Sequence, residues 1–315
     1  MEQRKLIKLG NSSFAIALPK PWIEKSGLKK GDNIFITPNA NGELVIQSEY
    51  KKLNGSKEAL IELKGKNKRE INRELISAYI NGNSTLDIKS ISDVKFVKSV
   101  LKDLFGMEIT ESKGDSIIAK DMIDVNSISI PGITRRIDNS IRNMIEELMP
   151  CIKKGFSTKN QYNEILSADK DVNKLYFLLW RLMILGIDNP GLLNILKTDS
   201  SSLVYVWLIA MNLERIGDDI KRIARILSEK KLQEDEIRKT EEVFQKIKDN
   251  FINALNSYHK KDKEMAFLVT KNKEEVYAFC FKSAESLLMK EMCDKIVNIQ
   301  ANIHNIAKYT LYFVK

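Results

Sequence analysis

The spacing of apolar residues changes along the chain, and it first predicts strands. Residues 1–50 alternate between apolar and polar side chains, which is typical of β-strands with one covered face. Four strands are predicted, at 5–9, 14–18, 33–37 and 43–47, with turns at 10–12 and 39–42. Pro21 can open one or two turns of helix through Trp22 to Ser26. Four short strands make a poor isolated core, so we expect this head to dimerise.

A mixed pattern follows the head. Residues 51–57 are polar and suit a linker. Beyond them the pattern predicts strand 59–63, helix 68–80, strand 85–88, helix 93–105, and a closing hairpin of strands 107–110 and 116–119. This is a small α/β connector. Its sequence has no Gly-rich phosphate loop, metal-ligand spacing or catalytic cluster, so a spacer role and a ligand-sensing role are equally open.

From Pro131 onward the helical period dominates. Three helices are predicted at 133–152, 159–187 and 200–229, and Asp188-Asn189-Pro190-Gly191 ends the second. A second trio is predicted at 235–258, at 262–276 running on towards Leu288, and in a last helix ending near Tyr312. The expected domains are therefore a head at 1–50, a connector at 51–125, and two helical units at 126–230 and 231–315.

Composition describes an ordinary globular protein. Of 315 residues, 43% are hydrophobic and 30% charged, which excludes a disordered chain. The most apolar stretch, 175–187, contains Arg181 and is too short to span a bilayer, and the N-terminus lacks the apolar segment of a signal peptide. Three scattered cysteines and two histidines argue against structural zinc, a His-rich metal site and a Ser-His-Asp triad. We expect a cytoplasmic protein that is not an enzyme.

The positive charge is concentrated at the N-terminus. The chain carries a net charge of +9, and residues 1–30 alone hold seven cationic side chains against two glutamates, a local charge of +5. Lysine and arginine neutralise phosphates and release counterions, so DNA is a candidate partner of the head. The alternative is a solvated basic strand. Later segments interleave both signs, as solvated helix faces do.

One helix carries the most informative side chains. Apolar residues in 211–224 recur at three- and four-residue spacing, which indicates an amphipathic helix. Glu214 and Asp218 lie one turn apart on one face, where they can share a hard cation through their oxygens. The alternative is a surface pair balanced by nearby cations. Gly217 costs about 1 kcal/mol of helix propensity relative to Ala, so close packing against a neighbour is expected there. The balancing cations would be Arg215, Lys221 and Arg222.

The run Leu-Glu-Arg-Ile-Gly-Asp at 213–218 resembles the signature of PhoU-type phosphate-uptake regulators. Upstream, Ala-Asp-Lys-Asp-Val-Asn at 168–173 is similar to the helix that faces the signature helix in that family. The resemblance implies an all-α pair of three-helix bundles and adds Asp169 and Asn173 to Glu214 and Asp218. These four oxygen-bearing side chains suit a divalent or ferric ion such as Fe, Mn, Mg or Zn.

The second helical unit departs from this pattern. Asn305-Ile306-Ala307 resembles the tail of the signature, and aligning on it places Val297 and Ala301 where Glu214 and Asp218 stand in the first unit. The carboxylate pair is therefore missing, and a metal is expected only in the first unit, or weakly. Asp138 is a weaker candidate ligand, for which capping or ion pairing is the alternative.

The head has a resemblance of its own. Its order of strands and short helix, with Leu18-Pro19-Lys20 and Gly31-Asp32, is similar to the SpoVT-AbrB swapped-hairpin domain. In that family two chains interlock and present basic residues to DNA. Only one of the DNA-binding candidates named below is an arginine, so bidentate hydrogen bonding to guanine is less expected. By position, the DNA-binding candidates are Arg4, Lys5, Lys8, Asn11, Ser12, Ser13 and Lys20.

Together these patterns predict a homodimeric DNA-binding transcriptional regulator of phosphate uptake. Its fold would combine an all-β head, an α/β connector and PhoU-like bundles, and the bundles would sense or relay phosphate status. Phosphate transporter or signalling components are further expected partners. Two alternatives stay open: an adaptor that restrains a phosphate transporter or a kinase without binding DNA, and a metal-dependent phosphate-handling enzyme using Glu214 and Asp218.

Overall fold

The computed structural model describes residues 3–38, 42–48, 57–156, 158–187 and 189–313. Most of the predicted turn at 39–42, most of the predicted linker at 51–57, and Asp188 of the predicted helix end lie outside these residues. The chain divides into two compact units, Met1–Lys52 and Leu53–Lys315. The predicted fold class is confirmed: a small β head is followed by a mainly helical C-terminal part.

The head consists of two separate hairpins and a short helix. Strands β1 and β2 pair antiparallel, as do β3 and β4, and no strand pairing joins the two hairpins among the described residues. Strand β2 ends earlier than the predicted Leu18, because its register pairs Ala15 with Ile7, the first residue of β1. The elements are β1 (Ile7–Leu9), β2 (Ser13–Ala15), α1 (Lys20–Lys25), β3 (Phe35–Pro38) and β4 (Leu44–Gln47).

No described residue of the head is fully buried. Large apolar side chains stand in solvent instead, including Phe14 at 63% and Ile36 at 55% exposure. A two-stranded hairpin with an exposed apolar face is marginal in water. The described residues of the head therefore form no core of their own. Its exposed large apolar residues are Leu6, Ile7, Leu9, Phe14, Ile16, Ile34, Phe35, Ile36 and Leu44.

The connector is a four-stranded sheet with two helices. Strand order is β5-β6-β8-β7, where β5 and β6 are parallel through α2 and the remaining pairs are antiparallel. Helix α2 begins at a capping box, in which the Asn67 side chain accepts from Glu70 N and the Glu70 side chain accepts from Asn67 N. The elements are β5 (Glu58–Glu62), α2 (Lys68–Ile80), β6 (Thr85–Lys89), α3 (Val94–Lys102), β7 (Met107–Lys113) and β8 (Ser116–Asp121).

Helix α3 is shorter than the predicted 93–105. Asp93 caps its start by accepting from Phe96 N at 2.9 Å. The chain leaves the helix after Lys102 and turns through Gly106, whose φ is +73°. Glycine is the residue that adopts this conformation without strain, and here Ile123 also packs where a side chain would stand.

The first bundle is made of three long helices. Helices α4 (Ile130–Lys154), α5 (Lys159–Ile187) and α7 (Ser200–Glu229) pack against one another, and the short α6 (Pro190–Ile195) joins the last two. The Asp199 side chain starts α7 by accepting from Ser202 N at 2.8 Å.

The second bundle is made of α8 (Glu234–Lys260), α9 (Lys263–Lys271), α10 (Lys273–Ser283) and α11 (Leu287–Phe313). Helix α11 packs along α7, so both bundles share one apolar core. None of the described helices combines the length and the apolar character that a bilayer crossing requires.

The predicted helix from 262 towards Leu288 is wrong as a single element. The chain breaks at Asn272, whose Nδ2 donates to Asn250 Oδ1 of α8 at 2.8 Å. A second break follows Ser283, and Leu287 already belongs to α11. This side-chain hydrogen bond to α8 stabilises a break that helical periodicity does not reveal.

Arg181 of α5 ties the connector to the first bundle. Arg181 is 3% exposed, and its guanidinium lies over the Tyr79 ring at 4.8 Å and pairs with the Asp121 carboxylate. It also donates to the carbonyl oxygens of Tyr79 and Asn83. Gly82 lets the two parts approach, because a Cβ there would stand 2.5 Å from Leu185 Cδ2. The connector and α5 are therefore joined by charge and by packing.

Replacing Arg181 with Met should destabilise the protein by about 3–5 kcal/mol, because it leaves the Asp121 carboxylate buried without its counterion. Urea unfolding followed by circular dichroism measures this change. Arg136→Met, on an exposed position of α4, is the matched control and should change stability by less than about 0.5 kcal/mol. Equal effects of the two substitutions would show that the Arg181–Asp121 ion pair does not stabilise the contact between the connector and α5.

Candidate functional site

Gly217 brings α7 close to its two bundle partners. A Cβ at this position would lie 2.9 Å from Ile141 Cδ1 of α4 and 3.9 Å from Asp169 Oδ1 of α5. The predicted close packing at Gly217 is therefore confirmed. An added Cβ would require the end of the Ile141 side chain to move, so glycine lets α7 lie close to its partners without that rearrangement.

The four predicted metal ligands come together between α5 and α7. Glu214 and Asp218 are half-buried beside the apolar stripe of α7, and their carboxylates act electrostatically on Asp169, which is 5% exposed. Asn173 Nδ2 donates to Asp169 Oδ2 at 3.4 Å. This places three carboxylates and one amide in a single cluster, which we call the α5–α7 carboxylate cluster.

A lysine lies inside this cluster. Lys221 Nζ donates to Asp169 Oδ2 at 2.7 Å and to Asp218 Oδ1 at 2.6 Å, so one ammonium bridges the two helices. The second oxygen of Asp218 accepts from Arg222 at 3.0 Å, and Arg222 also pairs with the buried Asp219 at 2.8 Å. Both Asp218 oxygens are thus paired with cations of the protein.

Glu214 is the least compensated member of the cluster. The pKa of its carboxyl is raised from 4.5 to about 7, chiefly by burial and then by the nearby charges of Asp218 and Asp169, against the opposing charges of Lys221 and Arg215. Burial also raises the pKa of Asp169, against the opposing hydrogen bond from Lys221. For Lys221, burial lowers the pKa, but hydrogen bonds to Asp169 and Asp218 outweigh it and the net shift is upward.

As arranged, the cluster does not fit a metal ion. Among the residues that the structure describes, no three His, Cys, Asp or Glu side chains are grouped so that they could hold one. The oxygens of Asp169 and Asp218 that face each other are already neutralised by the Lys221 ammonium. A metal here stays a prediction, and it would have to displace that ammonium.

Asp138 belongs to a different contact. Its carboxylate is 4% exposed, accepts from Arg142 Nε at 2.7 Å and lies 3.0 Å from His259 Nε2 at the end of α8. This confirms the interpretation of Asp138 as an ion-pairing residue. The contact links the first bundle to the second. The chain separates Asp138 from His259 by 121 residues, so no local pattern signals their proximity.

The seven DNA-binding candidates are all exposed. Lys8 lies opposite Phe14 in the first hairpin, and Asn11 and Ser12 form its turn. Arg4 and Lys5 precede β1, Ser13 begins β2, and Lys20 begins α1 in a solvent-exposed 3.6 Å pair with Glu24. Exposed cations around one hairpin can reach a phosphate backbone. Their role in DNA binding stays a prediction.

Comparisons with known families match the head and the first bundle separately. Residues 134–227, which span most of the first bundle, match the PhoU domain. Residues 7–54 match the family described as "Antidote-toxin recognition MazE, bacterial antitoxin". No curated protein and no solved structure matches the chain.

The chain therefore carries a PhoU domain behind an N-terminal MazE/AbrB-like domain, as the sequence resemblances predict. Both are regulatory families rather than enzymatic ones. The combination supports a phosphate-related regulator. The PhoU match ends before α8, so the second bundle lies outside it.

Replacing Glu214 with Gln should stabilise the protein at alkaline pH. The folded-state pKa of about 7 is above the ordinary 4.5, so the Glu214 carboxyl costs stability progressively as pH rises through this window and fully above it. Gln stays neutral at every pH. Discounted for partial exposure, the gain at about pH 8 is about 2 kcal/mol and near zero at about pH 4.

Urea titrations in chelator at both pH values measure this difference. Glu229→Gln, at the exposed end of α7, is the control and should show no pH-dependent gain. A gain of equal size at both pH values would show that charge at Glu214 is not the cause.

Proposed function

We propose that the protein is a cytoplasmic, homodimeric transcriptional regulator of phosphate uptake. The head binds operator DNA, and the PhoU domain senses or relays phosphate status. The observation that carries this proposal is the head itself, in which exposed cations lie on the first hairpin and next to it in the chain, and large apolar side chains are uncovered. The PhoU match supplies the connection to phosphate.

DNA binding is supported by the placement of charge. The candidates of the first hairpin combine cations, which neutralise phosphates, with Asn and Ser side chains, which hydrogen-bond phosphates or base edges. AbrB-like domains typically bind DNA as dimers. With Arg4 as the single arginine of this set, we expect binding to depend strongly on phosphate contacts and therefore on salt.

Dimerisation is supported by the missing core. Apolar side chains exposed in the isolated head form the kind of surface that a second copy covers. The hairpins are too small to fold stably alone. A second head that packs against these side chains would bury them and supply the missing core.

Phosphate transporter and signalling components are the proposed partners of the PhoU domain. PhoU-like proteins interact with components of phosphate transport. Binding of such a partner to the bundles would alter how the paired heads engage DNA. Arg181 of α5 is ion-paired with Asp121 of the connector. A movement of α5 would therefore reach the connector.

Alanine at Arg4, Lys5, Lys8 and Lys20 together should abolish specific DNA binding. Log affinity falls linearly with log salt concentration, and each phosphate contact that is lost makes this dependence less steep by about 0.9. The loss of four contacts therefore reduces the steepness by about 3–4 per chain. Fluorescence anisotropy in a salt series, with the protein's own upstream DNA and with unrelated DNA, measures both affinity and slope.

The matched control removes four exposed lysines from the second bundle: Lys260, Lys263, Lys271 and Lys282. This variant has the same net charge as the head variant and should keep wild-type DNA affinity. If both variants weaken binding equally, the effect is one of net charge and the head is not the interface. A folded wild-type dimer that binds neither DNA would instead favour the adaptor that restrains a transporter or kinase.

Phe14→Glu should convert the dimer to a monomer. Phe14 is 63% exposed within one chain, so a charge there costs little unless a second chain covers the side chain. Size-exclusion chromatography with light scattering measures the mass. Asn33→Glu, at an exposed polar position of the same head, should leave the dimer intact. A Phe14→Glu variant that stays dimeric would place the dimer interface elsewhere.

A further inference from the structure

We propose that Lys221 is the resident cation of the α5–α7 carboxylate cluster, so that this PhoU domain carries its own ammonium where a divalent metal ion would otherwise bind. The inference rests on the contacts of Lys221 and does not depend on DNA binding. It concerns which cation neutralises the carboxylates of the cluster. The resemblance to the PhoU family does not answer that question.

The contacts of Lys221 are those of a bridging cation. Its Nζ stands 2.7 Å from Asp169 Oδ2 and 2.6 Å from Asp218 Oδ1. Asp169 is 52 residues away in the chain and belongs to the facing helix. The ammonium therefore connects α5 to α7 through charge-assisted hydrogen bonds, which is the role of a metal held between two helices.

Neighbouring residues complete the neutralisation. Arg222 takes the other oxygen of Asp218 at 3.0 Å, and the Arg215 guanidinium acts on Glu214 from the same helix. Asp169 and both oxygens of Asp218 are thus paired with cations of α7. A divalent ion placed on the same oxygens would meet the Lys221 ammonium at ion-pair distance, and like charges repel.

The second bundle has no carboxylate pair at the corresponding positions. Val297 and Ala301 stand at the positions that correspond to Glu214 and Asp218. The buried polar groups nearby in α11 and α8 are neutral amides: Asn250 Nδ2 donates to Gln300 Oε1 at 3.1 Å, and Asn272 Nδ2 donates to Asn250 Oδ1 at 2.8 Å. In the part of the chain that the structure describes, no group of three His, Cys, Asp or Glu side chains in either bundle could hold a metal ion.

Manganese binding to the metal-stripped full chain tests the proposal. We expect wild type to show no saturable Mn²⁺ binding by isothermal titration calorimetry. Lys221→Met removes the ammonium but keeps the three carboxylates, so it should bind Mn²⁺ saturably, at least about tenfold more tightly than any residual binding of wild type, a difference of about 1.4 kcal/mol. Lys221→Arg, which restores a cation, should again bind none.

Two further variants separate this effect from general charge changes. Lys246→Met removes a lysine that pairs with Glu275 at 2.6 Å in the second bundle, and it should gain no Mn²⁺ binding. Asp218→Asn added to Lys221→Met should abolish the gain. The proposal is overturned if wild type binds Mn²⁺ saturably and loses it on Asp218→Asn, or if folded Lys221→Met gains nothing.

Thermal unfolding in Mn²⁺ and in chelator provides the second readout. Mn²⁺ should raise the melting temperature of Lys221→Met and leave that of wild type unchanged. If Lys221→Met does not fold without metal, refolding on addition of Mn²⁺ supports the proposal, whereas failure to refold overturns it. DNA binding enters none of these measurements, so their failure and that of the proposed function are distinguishable.

Discussion

Helix α7 has to be buried by two bundles at once, and this constraint organises the C-terminal part of the protein. It packs against α4 and α5 on one side and along α11 on another. Polar side chains on the α11 side form hydrogen bonds with one another. For example, Asn305 Nδ2 of α11 donates to Asn212 Oδ1 of α7 at 3.2 Å. The strip of α7 left for charged groups is narrow, so its carboxylates and cations are forced into contact with one another and with Asp169.

Burial determines how each carboxylate on that strip is stabilised. Unpaired carboxylates at this depth shift their pKa upward, as Glu214 does, or take a counterion, as Asp169 and Asp218 do. Gly217 adds no side chain at the point where α7 lies closest to Ile141 of α4, and Asp169 of α5 is also within contact distance of that position.

Much of the fold follows from periodicity, and the exceptions are tertiary. The long helices of both bundles and α2 of the connector are predicted because a 3.6-residue stripe persists over many turns. The break at Asn272 is missed because it depends on a hydrogen bond to Asn250. Strand β2 is overextended in prediction because alternation continues past the residues that its partner can pair.

The candidate site shows the same limit. The proximity of Asp169 to Glu214 and Asp218 is predictable because two separate segments resemble facing helices of one family. Lys221 is visible in the sequence as a counterion on α7, but its bridge to Asp169 spans 52 residues and no local spacing encodes it. The contact of His259 with Asp138 has no sequence signal for the same reason.

If a second chain covers the head, as proposed, the activity of the protein would depend steeply on its own abundance. Where a core is completed by a second chain, folding and association form one equilibrium, and the folded fraction depends on concentration. A newly made chain would then carry an incomplete reading head until it meets a second copy. At concentrations below the dissociation constant of such a dimer, copy number itself would be an input: doubling the number of chains would more than double the number of competent heads.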